Sequence, residues 1–220
     1  MKKMTVDPLV EATIEYVKSE LAQAEGGHDW FHTERVWKVA QNIASKTSVD
    51  PLVVSLGALL HDIADAKFYD GDETIGPQKA RAFLEAQNAA AEVIDHVVKI
   101  IENISFKGGN RPQQFTSPEL EVVQDADRLD ALGAVGIARA FSYGGFKKRA
   151  IHDPEIEPNL GMTAAAYKKN TAPTINHFYE KLLLLKDRMN TIRGKELAEE
   201  RHRFMEQYLE QFYKEWDGEL

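Results

Sequence analysis

The residues best suited to chemistry are histidines and aspartates that fall on apolar helix faces. His32 shares a helical stripe with Val36, Val39, Ala40 and Ile43, so it points into a core rather than into solvent. His61 and Asp62 end the run from Leu52 to Ile63, which is apolar on almost every side, the pattern of a central buried helix. Asp127 follows Leu120 and Val123, and precedes Asp130 and Ala134, on a third stripe with steps of three and four. Burying such groups is costly unless each has a partner. A histidine–aspartate hydrogen bond would satisfy the pair at 61 and 62. A divalent ion would satisfy the requirement more completely. Two imidazoles and two carboxylates suit Mn, Fe, Mg, Ni or Zn. Four side chains also leave positions open on an octahedral ion for water and substrate. The chain has 0 cysteines, which excludes thiolate metal sites, disulfides and cysteine nucleophiles.

Other residues near these positions have two readings each. His28 lies four before His32, a spacing found in zinc proteases, but Asp29 rather than glutamate follows it. His28 is expected to line an entrance near substrate phosphates, or to cap the helix start. Lys67 and Lys107 lie in or beside loops at the helix ends that carry the candidate ligands. They are expected to contact phosphate, or to be exposed and solubilising. Arg128 should form a structural ion pair, and His177 a buried hydrogen bond. His96, His152 and His202 read as surface or boundary residues. The sequence has no Walker loop, Rossmann fingerprint or G-x-S-x-G elbow. The nucleophile is therefore expected to be ion-activated water rather than a side chain.

The elements that must position these residues read as helical nearly throughout. Val10, Ile14, Val17 and Leu21 mark a first helix, opened by Asp7-Pro8 and closed by Gly26-Gly27. A second begins near Asp29, and a third begins at Asp50-Pro51 and runs through Ile63. Two more are expected from about Ile75 to Gln87 and through Val93, Val97, Ile101 and Ile104. Residues 105–116 read as a loop. Ser117-Pro118 opens a helix that Gly144-Gly145 should stop. Residues 146–162 look irregular, and the pattern predicts helices over about 174–190 and 195–216. In the last, Leu197, Phe204, Tyr208, Phe212 and Trp216 form a stripe expected to pack on the domain. No run reads as a β-strand.

The segments His28-Asp29-Trp30-Phe31-His32-Thr33-Glu34-Arg35-Val36, Leu60-His61-Asp62-Ile63 and Asp125-Ala126-Asp127-Arg128-Leu129-Asp130 resemble the H…HD…D signature of the HD-domain metal phosphohydrolases. His61 through Phe68 and Thr174 through Leu182 are also similar to a bacterial subgroup of stand-alone HD hydrolases. The likeness covers roughly residues 20 to 216. It implies an all-α, single-domain HD-type helical bundle over 1–220, with a metal-binding core at about 20–145 and a C-terminal helical extension at about 146–220. It implies His32, His61, Asp62 and Asp127 as ligands of one divalent ion, with Asp127 preferred over Asp125. It assigns Asp65, where relatives usually carry glutamate, to the proton of the attacking water, or else to capping a helix end. The implied substrate is a nucleoside triphosphate cleaved to monophosphate and pyrophosphate. Nucleotide monoesterase, phosphodiesterase and alarmone hydrolase activities remain as alternatives, as does a metal- or nucleotide-sensing module without turnover.

Composition narrows the partners. The 220 residues carry a formal net charge of −8, which disfavours duplex nucleic acid and anionic membranes at long range. A small phosphorylated substrate remains compatible through a local ion and basic side chains. The N-terminal stretch lacks the apolar segment of a signal peptide, and no stretch reaches membrane-spanning length, so a cytoplasmic protein is expected. An exposed C-terminal helix would be compatible with a homodimer.

Overall fold

In a computed structural model, residues 7–22, 29–64, 72–104, 114–163, 166 and 169–220 are described. Among them every regular element is helical and none is a strand. The fold is all-α, as the periodicity predicts. Contacts group the chain into two compact units, Met1–Asp127 and Arg128–Leu220.

The first unit is built on a helix that is buried nearly all round. Helix α3 (Pro51–Leu60) buries Val53, Val54, Leu56, Ala58, Leu59 and Leu60. Asp50 caps its start by accepting from the amides of Leu52 and Val53, and the proline takes a position where no amide is required. Helices α1 (Pro8–Glu20), α2 (Trp30–Ala44) and α5 (Ala91–Asn103) pack on it, and α4 (Ile75–Ala86) packs on α5. The apolar character of α3 on every side is the sequence signature of this central place. Among described residues α1 ends at Glu20, before the glycine pair expected to stop it, and Gly26-Gly27 lie outside the described residues. Helix α3 also ends earlier than its apolar pattern suggests, with His61 as C-cap and Asp62 in the following turn.

One helix expected between Ser117 and Gly144 is two, α6 (Pro118–Asp130) and α7 (Gly133–Phe146). The chain is extended at Leu132 and left-handed at Gly133, with φ +72°, a conformation that favours glycine. Gly144 does not stop α7. It is small because Thr174 of the same unit packs there, and a Cβ would collide with the Thr174 hydroxyl. The expected helix over 174–190 is a short α8 (Thr174–His177), a π-helical turn (Phe178–Leu182) and a 3-10 stretch (Leu183–Arg188). Helix α9 (Ile192–Trp216) packs against α7 and the 3-10 stretch.

The buried face of α9 is Gly194, Ala198, His202, Met205 and Leu209, not the aromatic stripe that its sequence suggests. Phe204 and Trp216 are largely exposed. Tyr208 and Phe212 lie between these extremes, and Tyr208 stacks on the fully buried Phe178. Two of the buried positions, Gly194 and Ala198, are small, so apolar bulk alone misjudged the face.

Candidate metal centre

Helix ends set the positions of the donor atoms. Asp29 is the N-cap of α2, and its Oδ1 accepts from the His32 amide at 2.9 Å. That bond places His32 in the first turn, where it is 2% exposed. His61 closes α3, and its Nδ1 lies 2.8 Å from the Ala58 carbonyl oxygen. A carbonyl only accepts, so Nδ1 carries the proton and donates it. Nε2 is then left with a bare lone pair. This Nε2 is enclosed and has no hydrogen-bond partner. The bond also satisfies one of the carbonyls that α3 leaves unpaired at its C-terminus.

Asp127 comes from α6, after the buried Leu120 and Val123. Its Oδ1 lies 3.6 Å from His32 Nε2 and 3.8 Å from His61 Nε2. The two imidazoles meet edge to face, with centroids 5.3 Å apart. One donor atom from each of His32, His61 and Asp127 lies within 4.8 Å of the others. The separations of 3.6 and 3.8 Å exceed a hydrogen bond. They fall between the ~3.0 Å of donors at right angles and the ~4.2 Å of opposed donors around an ion roughly 2.1 Å from each. An enclosed acceptor without a donor costs on the order of 1–3 kcal/mol. A cation removes that cost, so the donors present fit a divalent metal of the nitrogen- and oxygen-loving kind.

Three of the four expected ligands are thus brought together. Asp62, one residue after His61, is half-buried in the turn beyond α3, and the three-donor group does not include it. Asp125 is fully buried and also outside the group. Asp65, His28, Lys67 and Lys107 lie outside the described residues. The sequence reading overlooked the Ala58 carbonyl, which fixes the His61 tautomer. Its signal was position, since Ala58 lies three residues before His61 at the end of a helix.

The remaining candidates have structural partners. Asp130, the other aspartate of the α6 stripe, is buried and pairs with Arg139 of α7. Arg128 donates to the Arg188 carbonyl at 2.6 Å. His96 Nε2 lies 2.8 Å from the Ser117 hydroxyl, and His202 lies 3.3 Å from Glu206. His177 is pushed down to about 4 by burial, and further by Lys181 and Arg149, so it is neutral near pH 7.

The HD domain family matches residues 30–132, a segment that holds all three clustered donors. The Bacillus subtilis protein YpgQ is 39% identical over 206 residues, covering 92% of this chain and 91% of YpgQ. The crystal structure of an HD-superfamily hydrolase from Bacillus thuringiensis is similar with a TM-score of 0.76 and 44% identity, covering 95% of this chain and 97% of that one. The crystal structure of B. subtilis YpgQ in complex with ADP is similar with a TM-score of 0.75 and 37% identity, covering 95% and 98%. With relatives similar along nearly its whole length, and the histidine–aspartate cluster inside the matched segment, the chain belongs to the HD superfamily of metal-dependent hydrolases.

Proposed function

We propose that the protein is a divalent-metal-dependent phosphohydrolase that acts on a nucleotide, cleaving a (deoxy)nucleoside triphosphate to the monophosphate and pyrophosphate. The observation that carries the reading is the unpaired lone pair of His61 facing Asp127, with His32 beside it. The ADP bound to the related YpgQ supports a nucleotide ligand. Asp62 is the fourth ligand of this proposal, and manganese is the preferred ion. The likeness to relatives over 92% of the chain supports treating it as one HD-type domain. No helix among the described residues is long and apolar enough to cross a membrane.

When bound, the ion supplies a Lewis acid for a phosphoryl oxygen and lowers the pKa of a water. The chain's own residues do the rest. The Ala58 carbonyl holds His61 in the tautomer that presents Nε2. Asp127 supplies negative charge between the two imidazoles. Asp65 takes the proton of the attacking water, and His28, Lys67 and Lys107 contact the phosphates. Water adds at the α-phosphorus, the bond to the bridging oxygen breaks, and pyrophosphate leaves with that oxygen.

A panel of nucleoside mono-, di- and triphosphates, cyclic nucleotides and alarmones with added Mn tests the reading. Stoichiometric monophosphate and pyrophosphate from a triphosphate is the expected result. Orthophosphate from a monophosphate, or turnover only of a cyclic nucleotide or alarmone, would replace the substrate. Binding without turnover of any compound would mark a sensing module and sink the enzymatic proposal.

A further inference from the structure

The second unit has a cavity whose chemistry differs from that of the metal centre. Its volume is about 320 Å³, within the range of small-ligand pockets. One wall is the irregular connection after α7, through His152, Asp153 and Glu157. The other wall is Asn176 and Tyr179, with Tyr213 from α9. Among the described residues no lysine or arginine lines it. The lining therefore carries two carboxylates and no opposing cation. Asp153 uses one oxygen to accept from the Glu155 amide at 3.0 Å, and neither Asp153 nor Glu157 forms an ion pair with a described residue.

His152, Tyr179 and Tyr213 add rings to the lining, beside Pro154, Ile156 and Pro158. Tyr213 is hydrogen-bonded to Tyr179, and its phenol is pushed up by burial and then by that bond, so it stays neutral. His152 packs edge-on against Phe212, Tyr213 and Trp216, with centroids 6.0, 5.4 and 5.0 Å away. Its Nδ1 is enclosed without a hydrogen-bond partner.

The wall is fastened in place, although it is irregular. Asn176, 1% exposed, donates to the Ile156 carbonyl at 2.8 Å. Glu180 accepts from the Asn159 amide at 3.1 Å and from the Asn170 side chain at 2.8 Å. The amides of Thr174 and Ile175 donate to the carbonyls of Ala150 and Ile151 at 2.9 and 3.0 Å. Tyr179 and Glu180 lie in the π-helical turn, a local distortion that often accompanies function. A long irregular connection tied down at several points is also more often functional than incidental.

We infer that this cavity is a second ligand site, which takes a small organic ammonium ion between the Asp153 and Glu157 carboxylates and the Tyr179–Tyr213 pair. Carboxylates attract the charge, aromatic rings can accept the cation and its apolar body, and two carboxylates without a lining cation among the described residues disfavour phosphates.

The test is a nuclear magnetic resonance titration of the full-length chain with benzylammonium, and with benzyl alcohol as the neutral match. The expected result is saturable shifts for the ammonium ion at residues 152–158, 176, 179 and 213. The alcohol should bind at least about tenfold more weakly. Glu157→Lys, at an exposed position that folding tolerates, should weaken the ammonium by about tenfold or more. Asp153→Asn retains the acceptor for the Glu155 amide and should also weaken it. The inference is overturned by the absence of saturable shifts up to about 10 mM. Equal binding of the alcohol, unchanged binding to Glu157→Lys, or ADP shifting the same residues would also overturn it. Each readout is independent of hydrolysis, so failure here leaves the metal-centre reading standing.

Discussion

Asp127→Asn is the sharpest test of the metal centre, because it changes charge and ligand basicity with almost no change in size. In the native chain Asp127 Oδ1 lies between His32 and His61, at 3.6 and 3.8 Å. A bound ion stabilises the folded state by RT ln(1 + [M]/Kd), about 4.1 kcal/mol when the free ion is 1,000-fold above Kd. Replacing an anionic ligand with a neutral amide should weaken affinity by at least about a hundredfold, since even supporting residues outside the ligand set cost ~10- to 100-fold. That loss removes about 2.7 kcal/mol of the metal-dependent stabilisation. At roughly 2–4 °C per kcal/mol for a chain of this size, the gain in Tm on adding Mn should shrink by about 5–10 °C. The assay is thermal denaturation by circular dichroism, with chelator and then with Mn, alongside metal content by elemental analysis. With chelator the two proteins should melt within a few degrees of each other. If Asp127→Asn keeps the full Mn-dependent gain and full metal content, the ion does not bind where the two imidazoles and this carboxylate converge.

The catalytic assignment is tested by Asp65→Asn, which should keep metal content while turnover under saturating Mn falls by roughly 10²–10⁴-fold; unchanged turnover would leave Asp65 as a cap. His177 has a folded pKa of about 4, below the unfolded value near 6.5, so its contribution is present above pH 6.5 and lost as pH falls toward 4. The unfolding free energy from urea titration should therefore drop over that window by at most about 3 kcal/mol, and His177→Gln should flatten the drop. Arg139→Met removes the ion-pair partner of the buried Asp130, with only the charge of Arg201 left nearby, and should cost up to about 3 kcal/mol by urea unfolding, while the double variant with Asp130→Asn should recover much of it. Gly144→Ala should cost about 1–3 kcal/mol through its collision with Thr174, and Thr174→Ala should relieve part of that cost in a double-mutant cycle.

The metal centre was legible because burial and ionisability conflict. His32, His61 and Asp127 each stand on an apolar stripe, and hydrophobic periodicity states which way such residues point. The central place of α3 was legible for the same reason. Breaks in helices were less so. The pattern Leu120, Val123, Asp127, Asp130, Ala134 keeps helical spacing across the turn at Leu132-Gly133, and only the left-handed backbone at Gly133 reveals the stop. The glycine pair at 144–145 misled in the opposite direction, because Gly144 answers a packing demand from Thr174, which is distant in sequence. The face of α9 was misjudged because aromatic size signalled burial, whereas Gly194 and Ala198 allow the close approach. Hydrogen bonds between distant residues, such as Glu180 to Asn159 and Asn170, leave no periodic trace and could be seen only in the structure.

The centre is assembled from helix ends, and that choice has electrostatic consequences. Helix α3 directs its carbonyl end, with its partial negative charge, toward the ligand that closes it, which favours a cation there. Asp127 lies in the last turn of α6, which ends at Asp130, and adds the same sign. Only α2 approaches with its positive end, and Asp29 caps it with a carboxylate that accepts from the His32 amide. The one helix whose dipole would repel an ion thus carries an anion at its tip. His61 in turn spends its proton on the Ala58 carbonyl, which frees Nε2 to act as a ligand while relieving an unpaired group at the helix end. The same local bonds that terminate the helices therefore set ring orientation, tautomer and charge. A capping change at Asp29 would accordingly act on the candidate centre through His32, although Asp29 is not one of the three clustered donors.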